Sequence, residues 1–195
     1  MLEFPELEAH YRLLEKWNRT LYLTRIEDLE RNYGESLFLG RHLPAGQLRI
    51  CDIGSGAGFP GFPVAILRKD CEVTLIESHQ RKAVFLKEAS RGIPNIRVVA
   101  KRAEDVGDKY DWAVSRAVSD VDLSAVLPRL AGQVALLTGA EEAQLDGFDW
   151  NEPVLLPGSR NRFLRMGVSR ETVPDSQEPV PRCRQQNGFI PGKTI

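Results

Sequence analysis

The fold of this 195-residue chain is decided by the stretch Asp52-Ile53-Gly54-Ser55-Gly56-Ala57-Gly58-Phe59-Pro60-Gly61. Its four glycines fall directly after the apolar run Leu48–Ile53, which is typical of a buried parallel strand. Glycine has no Cβ, so the backbone can turn sharply there and approach a ligand closely. In an open α/β sheet, such a loop lies at the carboxyl end of its strand, where these folds bind ligands. The stretch therefore predicts a ligand-binding loop between a strand and a helix.

Around this loop, strand patterns alternate with helix patterns. Further strands are predicted at Glu72–Ile76, Ile96–Val99, Trp112–Ser115 and Val134–Leu137, and helices at about 62–68, 79–91 and 120–130. Such alternation implies βαβ units and a mainly parallel sheet with helices on both faces. Val154–Leu156 and Phe163–Ser169 flank a Pro-Gly-Ser-Arg-Asn turn, which predicts a β-hairpin closing the sheet edge.

The segments on either side of this α/β core have different patterns. Apolar residues recur at steps of three and four in the first helix, namely Leu7, Tyr11, Leu14, Trp17 and Leu21. A second helix is predicted from about Ile26 to Leu43, and Pro44 ends it. We therefore expect an N-terminal helical cap over residues 1–45, a core over 46–173 and an extended basic tail over 174–195.

Composition and charge exclude several classes of protein. The net charge is −1, but residues 160–195 hold seven Lys/Arg against three Asp/Glu. A basic end fits contact with a polyanion, although a solvated tail is also common. The three cysteines form no CxxC pair, and no apolar run is long enough for a membrane span. We expect a soluble, reduced, cytoplasmic protein with no metal site.

The glycine loop matches two cofactor-binding patterns. Gly56-x-Gly58-x-x-Gly61 is a dinucleotide fingerprint, and Glu77 follows Gly56 by 21 positions, as a ribose-binding acid should. The acidic loop of S-adenosylmethionine methyltransferases has the pattern Asp52-x-Gly54-x-Gly56-x-Gly58, again with an acid after the second strand. A carboxylate suits a ribose diol because it accepts two hydrogen bonds at once. The spacing alone does not distinguish NAD from S-adenosylmethionine.

Further motifs resemble the bacterial small-subunit ribosomal RNA methyltransferase G family, also called glucose-inhibited division protein B. They are Trp17-Asn18-Arg19, the run from Asp52 to Pro63, Glu77-Ser78, Arg81 to Glu88, Arg102-Ala103-Glu104, Tyr110-Asp111, Ser115-Arg116-Ala117-Val118 and, in the tail, Pro181-Arg182, Gly188, Pro191 and Lys193. The resemblance implies a Rossmann-like, class I S-adenosylmethionine-dependent methyltransferase with a seven-stranded sheet. It also implies methylation of N7 of a guanine in the 530 loop of 16S rRNA, naked or within the small ribosomal subunit. Nothing in the sequence suggests an obligate partner, so we expect a monomer.

The same resemblance assigns roles to particular residues. The cofactor-binding residues would be Asp52, Gly54, Gly56, Gly58, Phe59, Glu77, Ala103 and Glu104, with Glu77 on the ribose and the last two beside the adenine. RNA contacts are expected from Arg19, Arg116, Arg182, Arg184 and Lys193. Arg116 would position the guanine as the catalytic residue, unless it forms an ion pair with Asp120 instead. We expect no general base, because guanine N7 carries a lone pair and no proton.

Three departures from the family pattern lie in regions that would surround the substrate. Tyr22 stands where the family usually has Asn, Asn32 where it has His, and Thr138 where it has Lys. Two other functions therefore stay open. One is an NAD-dependent oxidoreductase, and the other is a non-catalytic RNA-binding ribosome assembly factor that retains an S-adenosylmethionine pocket.

Overall fold

The computed structural model describes residues 4–116, 124–139 and 145–170. Its strands are β1 (Arg49–Ile53), β2 (Glu72–Ile76), β3 (Ile96–Val99), β4 (Tyr110–Arg116), β5 (Ala131–Thr138), β6 (Phe148–Trp150), β7 (Val154–Leu155) and β8 (Phe163–Ser169). Its helices are α1 (Pro5–Leu21), α2 (Leu29–His42), α3 (Gly61–Leu67), α4 (Gln80–Ala89) and α5 (Leu127–Leu130), with 3-10 turns at Ile26–Asp28 and Ala103–Asp105.

All the described strands belong to one sheet, in the order β3-β2-β1-β4-β5-β8-β6, with β7 also paired to β8. The first five strands of this order run parallel, and β8 is antiparallel to β5. Ile53, at the end of β1, is in register with Ile76 on one side and Ser115 on the other. The residues that follow β1, β2 and β4 therefore emerge at one edge, beside the point where the strand order reverses.

The expected α/β fold is confirmed, and β2 and β3 have the predicted bounds. The described sheet has eight strands where seven were predicted, because Phe148–Trp150 adds a short strand to β8. The predicted hairpin forms from β7 and β8, but β8 lies between β5 and β6 rather than at the edge. Of the helix predicted over 120–130, Leu127–Leu130 is helical, and residues 117–123 lie outside the described part.

The two cap helices pack over the glycine-loop side of the core. Leu7 and Leu14 of α1 are fully buried, while Tyr11, Trp17 and Leu21 are partly buried against the same cluster, as the apolar spacing predicted. Helix α1 contacts α3 and α4, and α2 contacts α3 and β5. The cap therefore faces the same sheet edge as the loop. None of the described helices is long and apolar enough to cross a membrane.

Candidate cofactor and substrate site

Asp52 holds the glycine loop against the start of α3. Its side chain is fully buried, and its Oδ2 accepts a hydrogen bond of 2.9 Å from the Gly61 N–H. A Cβ at Gly61 would lie 2.5 Å from Leu75 Cδ2 and 2.6 Å from Asp52 Cβ, distances at which something must move. Glycine at position 61 is therefore required by the close approach of α3 to β1 and β2.

The second oxygen of Asp52, Oδ1, is buried and has no hydrogen-bond partner among the described residues. Burial raises the pKa of Asp52 to about 7, although the Gly61 N–H and Arg116 favour the ionised form. A buried acceptor without a donor destabilises the protein unless a ligand or solvent supplies one. This oxygen is suited to an ammonium group.

Glu77, directly after β2, is bound to the loop. Only 6% of Glu77 is exposed; Oε2 accepts the Gly56 N–H at 2.8 Å, and Oε1 accepts the His79 N–H at 2.7 Å. Each carboxylate oxygen has further lone pairs, so both can also accept a hydroxyl. Gly56 has a φ of +57°, and a Cβ there would meet only Gly54 O, at 3.7 Å. The loop is therefore open beside the carboxylate.

Gly58 and Phe59, also predicted to bind cofactor, lie against the cap. A Cβ at Gly58 would lie 3.1 Å from both His10 Nε2 and Phe62 Cβ. Phe59 is buried, and its ring meets Tyr33 edge-on with centroids 4.9 Å apart. These contacts couple the position of the loop to the cap, and the cofactor roles of both residues stay predictions.

His10 joins the cap to the loop, a role that no motif in the sequence indicated. Only 1% of His10 is exposed; its Nδ1 lies 2.5 Å from Tyr33 Oη and its ring stacks on Phe62 at 4.2 Å. Burial lowers its pKa to about 3, so the ring is neutral at physiological pH. Its position, three residues after Leu7 and four before Leu14, was the available signal, because that spacing places it on the buried face of α1.

Arg116, the last residue of β4, lies at the same sheet edge. Its Cζ is 5.9 Å from the Phe59 ring centroid, and its Nη1 is buried without a hydrogen-bond partner among the described residues. Burial lowers the pKa of Arg116, while the nearby charge of Glu35 raises it. Asp120, the alternative ion-pair partner, lies outside the described residues. The arrangement leaves the guanidinium able to donate to a ligand.

An ion pair between the cap and the hairpin lies close to Arg116. Arg162 donates to both oxygens of Glu35, at 2.7 and 2.8 Å, and only 3% of Glu35 is exposed. Such a two-pronged pair fixes orientation as well as distance. Glu35 and Arg162 are 127 positions apart, so no local pattern in the sequence indicated the contact.

The remaining predicted residues are spread more widely. Ala103 and Glu104 follow β3 in a 3-10 turn, and their carbonyl oxygens accept hydrogen bonds from Arg129. Arg19 is exposed near the end of α1. The three predicted RNA-binding residues of the tail, Arg182, Arg184 and Lys193, lie outside the described residues. No cluster of His, Cys, Asp or Glu that could hold a metal occurs in the described part of the chain.

The site fits S-adenosylmethionine on two observations. The open loop and the Glu77 oxygens can accept a ribose diol, and the unpartnered Asp52 Oδ1 can accept an ammonium group. Both groups belong to this cofactor. Its sulfonium supplies an activated methyl group when bound.

Two solved structures share this fold. Magnesium protoporphyrin IX methyltransferase from Synechocystis, solved with bound S-adenosylmethionine, matches with a TM-score of 0.59 and 14% identity, over 87% of this chain and 99% of that one. The fibrillarin pre-rRNA processing protein of Methanococcus jannaschii matches with a TM-score of 0.57 and 15% identity, over 70% of this chain and 75% of that one. The fold and the site together define a class I S-adenosylmethionine-dependent methyltransferase.

Sequence comparison then gives the family. The profile of rRNA small subunit methyltransferase G matches residues 3–144, and the chain belongs to this family. It is 37% identical to the Chromobacterium violaceum protein "Ribosomal RNA small subunit methyltransferase G", over 77% of this chain and 74% of that protein. The protein of the same name from Nitrosomonas europaea is 42% identical over 60% of this chain, but this alignment spans only 57% of the relative's length. The family resemblance expected from the motifs is confirmed.

Proposed function

We propose that this protein transfers the methyl group of S-adenosylmethionine to N7 of a guanine in the 530 loop of 16S rRNA. The observation that carries the proposal is the arrangement at one sheet edge. Glu77 is bonded to the glycine loop there, and the half-buried Arg116 guanidinium lies at the end of β4 with an unpartnered nitrogen. Family membership supports both the reaction and the class of substrate.

The main task of the protein in this reaction is to position the guanine and the methyl group. Guanine N7 has an in-plane lone pair and no proton, so no general base is needed. Glu77 would hold the ribose through its two oxygens, the glycine loop would lie along the methionine part, and Ala103 and Glu104 would border the adenine. Holding nucleophile and methyl group in line at attack distance can supply about 7–11 kcal/mol of the rate enhancement.

Arg116 is the residue we assign to the guanine. A guanidinium can donate to a base edge or stack on its plane, and it remains charged when half-buried. Phe59 lies under the guanidinium, and the Glu35–Arg162 pair lies nearby. These neighbours fix the position of Arg116, and its Nη1 stays available to donate a hydrogen bond to a ligand.

Further parts of the proposal rest on the sequence and the family. The protein would act as a monomer in the cytoplasm, on 16S rRNA alone or within the small subunit. Arg19 and the tail residues Arg182, Arg184 and Lys193 would contact RNA phosphates. The division into a cap over 1–45, a core over 46–173 and a tail over 174–195 stays a proposal, as does the absence of a metal from the reaction.

Label transfer tests the proposal. The protein is incubated with small ribosomal subunits, or with extracted 16S rRNA, and S-adenosylmethionine carrying a labelled methyl group. The wild type and the control Arg12→Ala, an exposed arginine of α1, should label the RNA, and Arg116→Ala should lose most of that activity. An assembly factor would label nothing. An NAD-dependent oxidoreductase, which family membership does not favour, would bind NAD and ignore S-adenosylhomocysteine.

A further inference from the structure

Tyr22 carries an exposed aromatic ring at the end of α1. Its exposed fraction of 78% is the largest of any large hydrophobic side chain in the described residues. Its backbone is left-handed, with φ of 47° and ψ of 58°, and its N–H donates to Asn18 O. It is also the only described residue other than glycine with a positive φ. Asn tolerates this conformation better than Tyr does.

The loop that follows Tyr22 is fixed by Asn18. Asn18 Oδ1 accepts the N–H groups of Leu23 and Thr24, at 2.6 and 3.0 Å, and its Nδ2 donates to Thr24 O at 2.7 Å. Three hydrogen bonds therefore hold the backbone on the C-terminal side of the ring. An aromatic ring on so well-tethered a loop loses little conformational entropy when a ligand stacks on it.

Positive charge lies beside the ring. Tyr22 lines a cleft of about 490 Å³ with Asn18, Arg19, Thr24, Arg25 and Glu27. Neither arginine takes part in any of the ion pairs found among residues 4–116, 124–139 and 145–170. Two arginines beside one acid leave the cleft with a net positive charge, which complements a polyanion.

A hydrogen bond joins the cleft to helix α2. Thr24 Oγ1, in the cleft, accepts a hydrogen bond of 3.4 Å from Asn32 Nδ2 of α2. Asp28 and Arg31, in the turn and helix after the cleft, are among the charges that influence Arg116. A strand of RNA whose guanine is held at Arg116 could therefore extend along the cap.

We propose that Tyr22, Arg19 and Arg25, together called the Tyr22 surface, dock single-stranded RNA next to the target guanine. The Tyr22 ring would stack on one nucleobase, and the two guanidiniums would bind neighbouring phosphates. Aromatic stacking accepts any base, and phosphate contacts carry no sequence information, so the surface supplies affinity and register rather than base specificity. This inference rests on the proposed function for its substrate, and it identifies where that substrate is held.

Binding of RNA without cofactor tests the surface. A fluorescently labelled 16S rRNA fragment that contains the 530 loop is titrated with each variant, and the dissociation constant is read by anisotropy. Tyr22→Ala should weaken binding roughly 5- to 150-fold, the range for loss of one stacked base. Tyr22→Phe should bind like the wild type. Val84→Ala, which shortens an exposed apolar side chain of α4, is the matched control and should also be unchanged.

Two further variants separate binding from folding and from charge. Tyr22→Asn should raise the melting temperature, because Asn is less strained in this conformation, and yet weaken RNA binding as Tyr22→Ala does. Replacing both Arg19 and Arg25 by Ala should lower the steepness of log K against log salt by about 1.4, the value for two phosphates on a single strand. Calorimetry with S-adenosylhomocysteine should give the same affinity for all the variants.

The outcomes distinguish this inference from the proposed function. If Tyr22→Ala and Tyr22→Asn bind the RNA with wild-type affinity, the Tyr22 surface is not an RNA dock, even when the guanine is still methylated. If they weaken binding only to whole subunits and not to free RNA, the ring contacts a ribosomal protein, and the inference is likewise overturned. Failure of the wild type to methylate any RNA counts against the proposed function instead, since the binding assay contains no cofactor.

Discussion

Replacing Glu77 is the sharpest perturbation of the cofactor site. Its two oxygens accept the Gly56 and His79 N–H groups, at 2.8 and 2.7 Å, in a nearly buried position. Glu77→Gln keeps one acceptor oxygen and turns an amide group toward the other N–H donor. Glu77→Ala removes both acceptors. The first change weakens the contact to a ribose diol, and the second abolishes it.

The magnitude follows from the hydrogen bonds lost. A hydrogen bond to a charged group contributes about 1.5–3 kcal/mol. We therefore expect S-adenosylhomocysteine to bind Glu77→Ala roughly 10- to 150-fold more weakly than it binds the wild type, with Glu77→Gln between the two. Removing the acceptors of the Gly56 and His79 N–H groups should also lower the free energy of unfolding.

Isothermal titration calorimetry with S-adenosylhomocysteine measures the effect. Glu72→Gln is the matched control, because Glu72 is exposed at the opposite end of the same strand. It should bind with wild-type affinity. Urea unfolding of each variant confirms that the chain is folded during the titration. Equal affinity of the wild type and a folded Glu77→Ala variant would refute the assignment of Glu77 to the ribose.

Three other predictions concern stability. His10 has a pKa of about 3 in the folded protein and about 6.5 when unfolded, so its stabilising contribution is complete above pH 6.5 and is lost as pH falls toward 3. In urea unfolding, the free-energy difference between wild type and His10→Phe should therefore change by about 1.4 kcal/mol per pH unit in that window, and a constant difference would contradict the neutral ring. Gly61→Ala should destabilise the protein by about 1–3 kcal/mol, because its Cβ would collide with neighbouring side chains. In the control Gly34→Ala the new Cβ has nothing within 4 Å, so the free energy of unfolding should be unchanged or higher. Equal effects of the two substitutions would refute the packing argument. Arg162→Ala should lower the free energy of unfolding by about 3–5 kcal/mol, since it leaves the buried Glu35 carboxylate uncompensated. Adding Glu35→Gln to this variant should recover part of the loss, and no recovery would show that Arg162 does not stabilise the protein through its ion pair.

Local patterns in the sequence predicted the parts of the fold that depend on local chemistry. The short segment Glu72–Ile76, in which Val73, Leu75 and Ile76 are apolar, predicted β2 to the residue, because every position after Glu72 is buried in the sheet. The strand Phe148–Trp150 was missed, because three residues carry too little periodicity and it pairs with a strand about twenty positions later. Its existence depends on the tertiary structure rather than on its own residues.

In the site, too, some features follow from local sequence patterns and others from tertiary packing. The structure joins Gly56 and Glu77 as the motif spacing predicted, since two neighbouring parallel strands end at one edge. The motif predicted the same role for Gly56 and Gly58, whereas in the structure Gly56 faces open space and Gly58 packs against His10. That distinction depends on how the cap covers the loop. The contact between Glu35 and Arg162 likewise depends on three-dimensional packing.

Mapping of methylated bases in cells tests the central claim most directly. Small-subunit rRNA is isolated from the parent strain, from a strain lacking this gene, and from the deleted strain supplied with the wild-type or the Arg116→Ala gene, and is digested and analysed by mass spectrometry. We expect one 530-loop guanine that carries an N7-methyl group in the parent, loses it on deletion and regains it only with the wild-type gene. An identical methylation pattern in all four strains would contradict the claim.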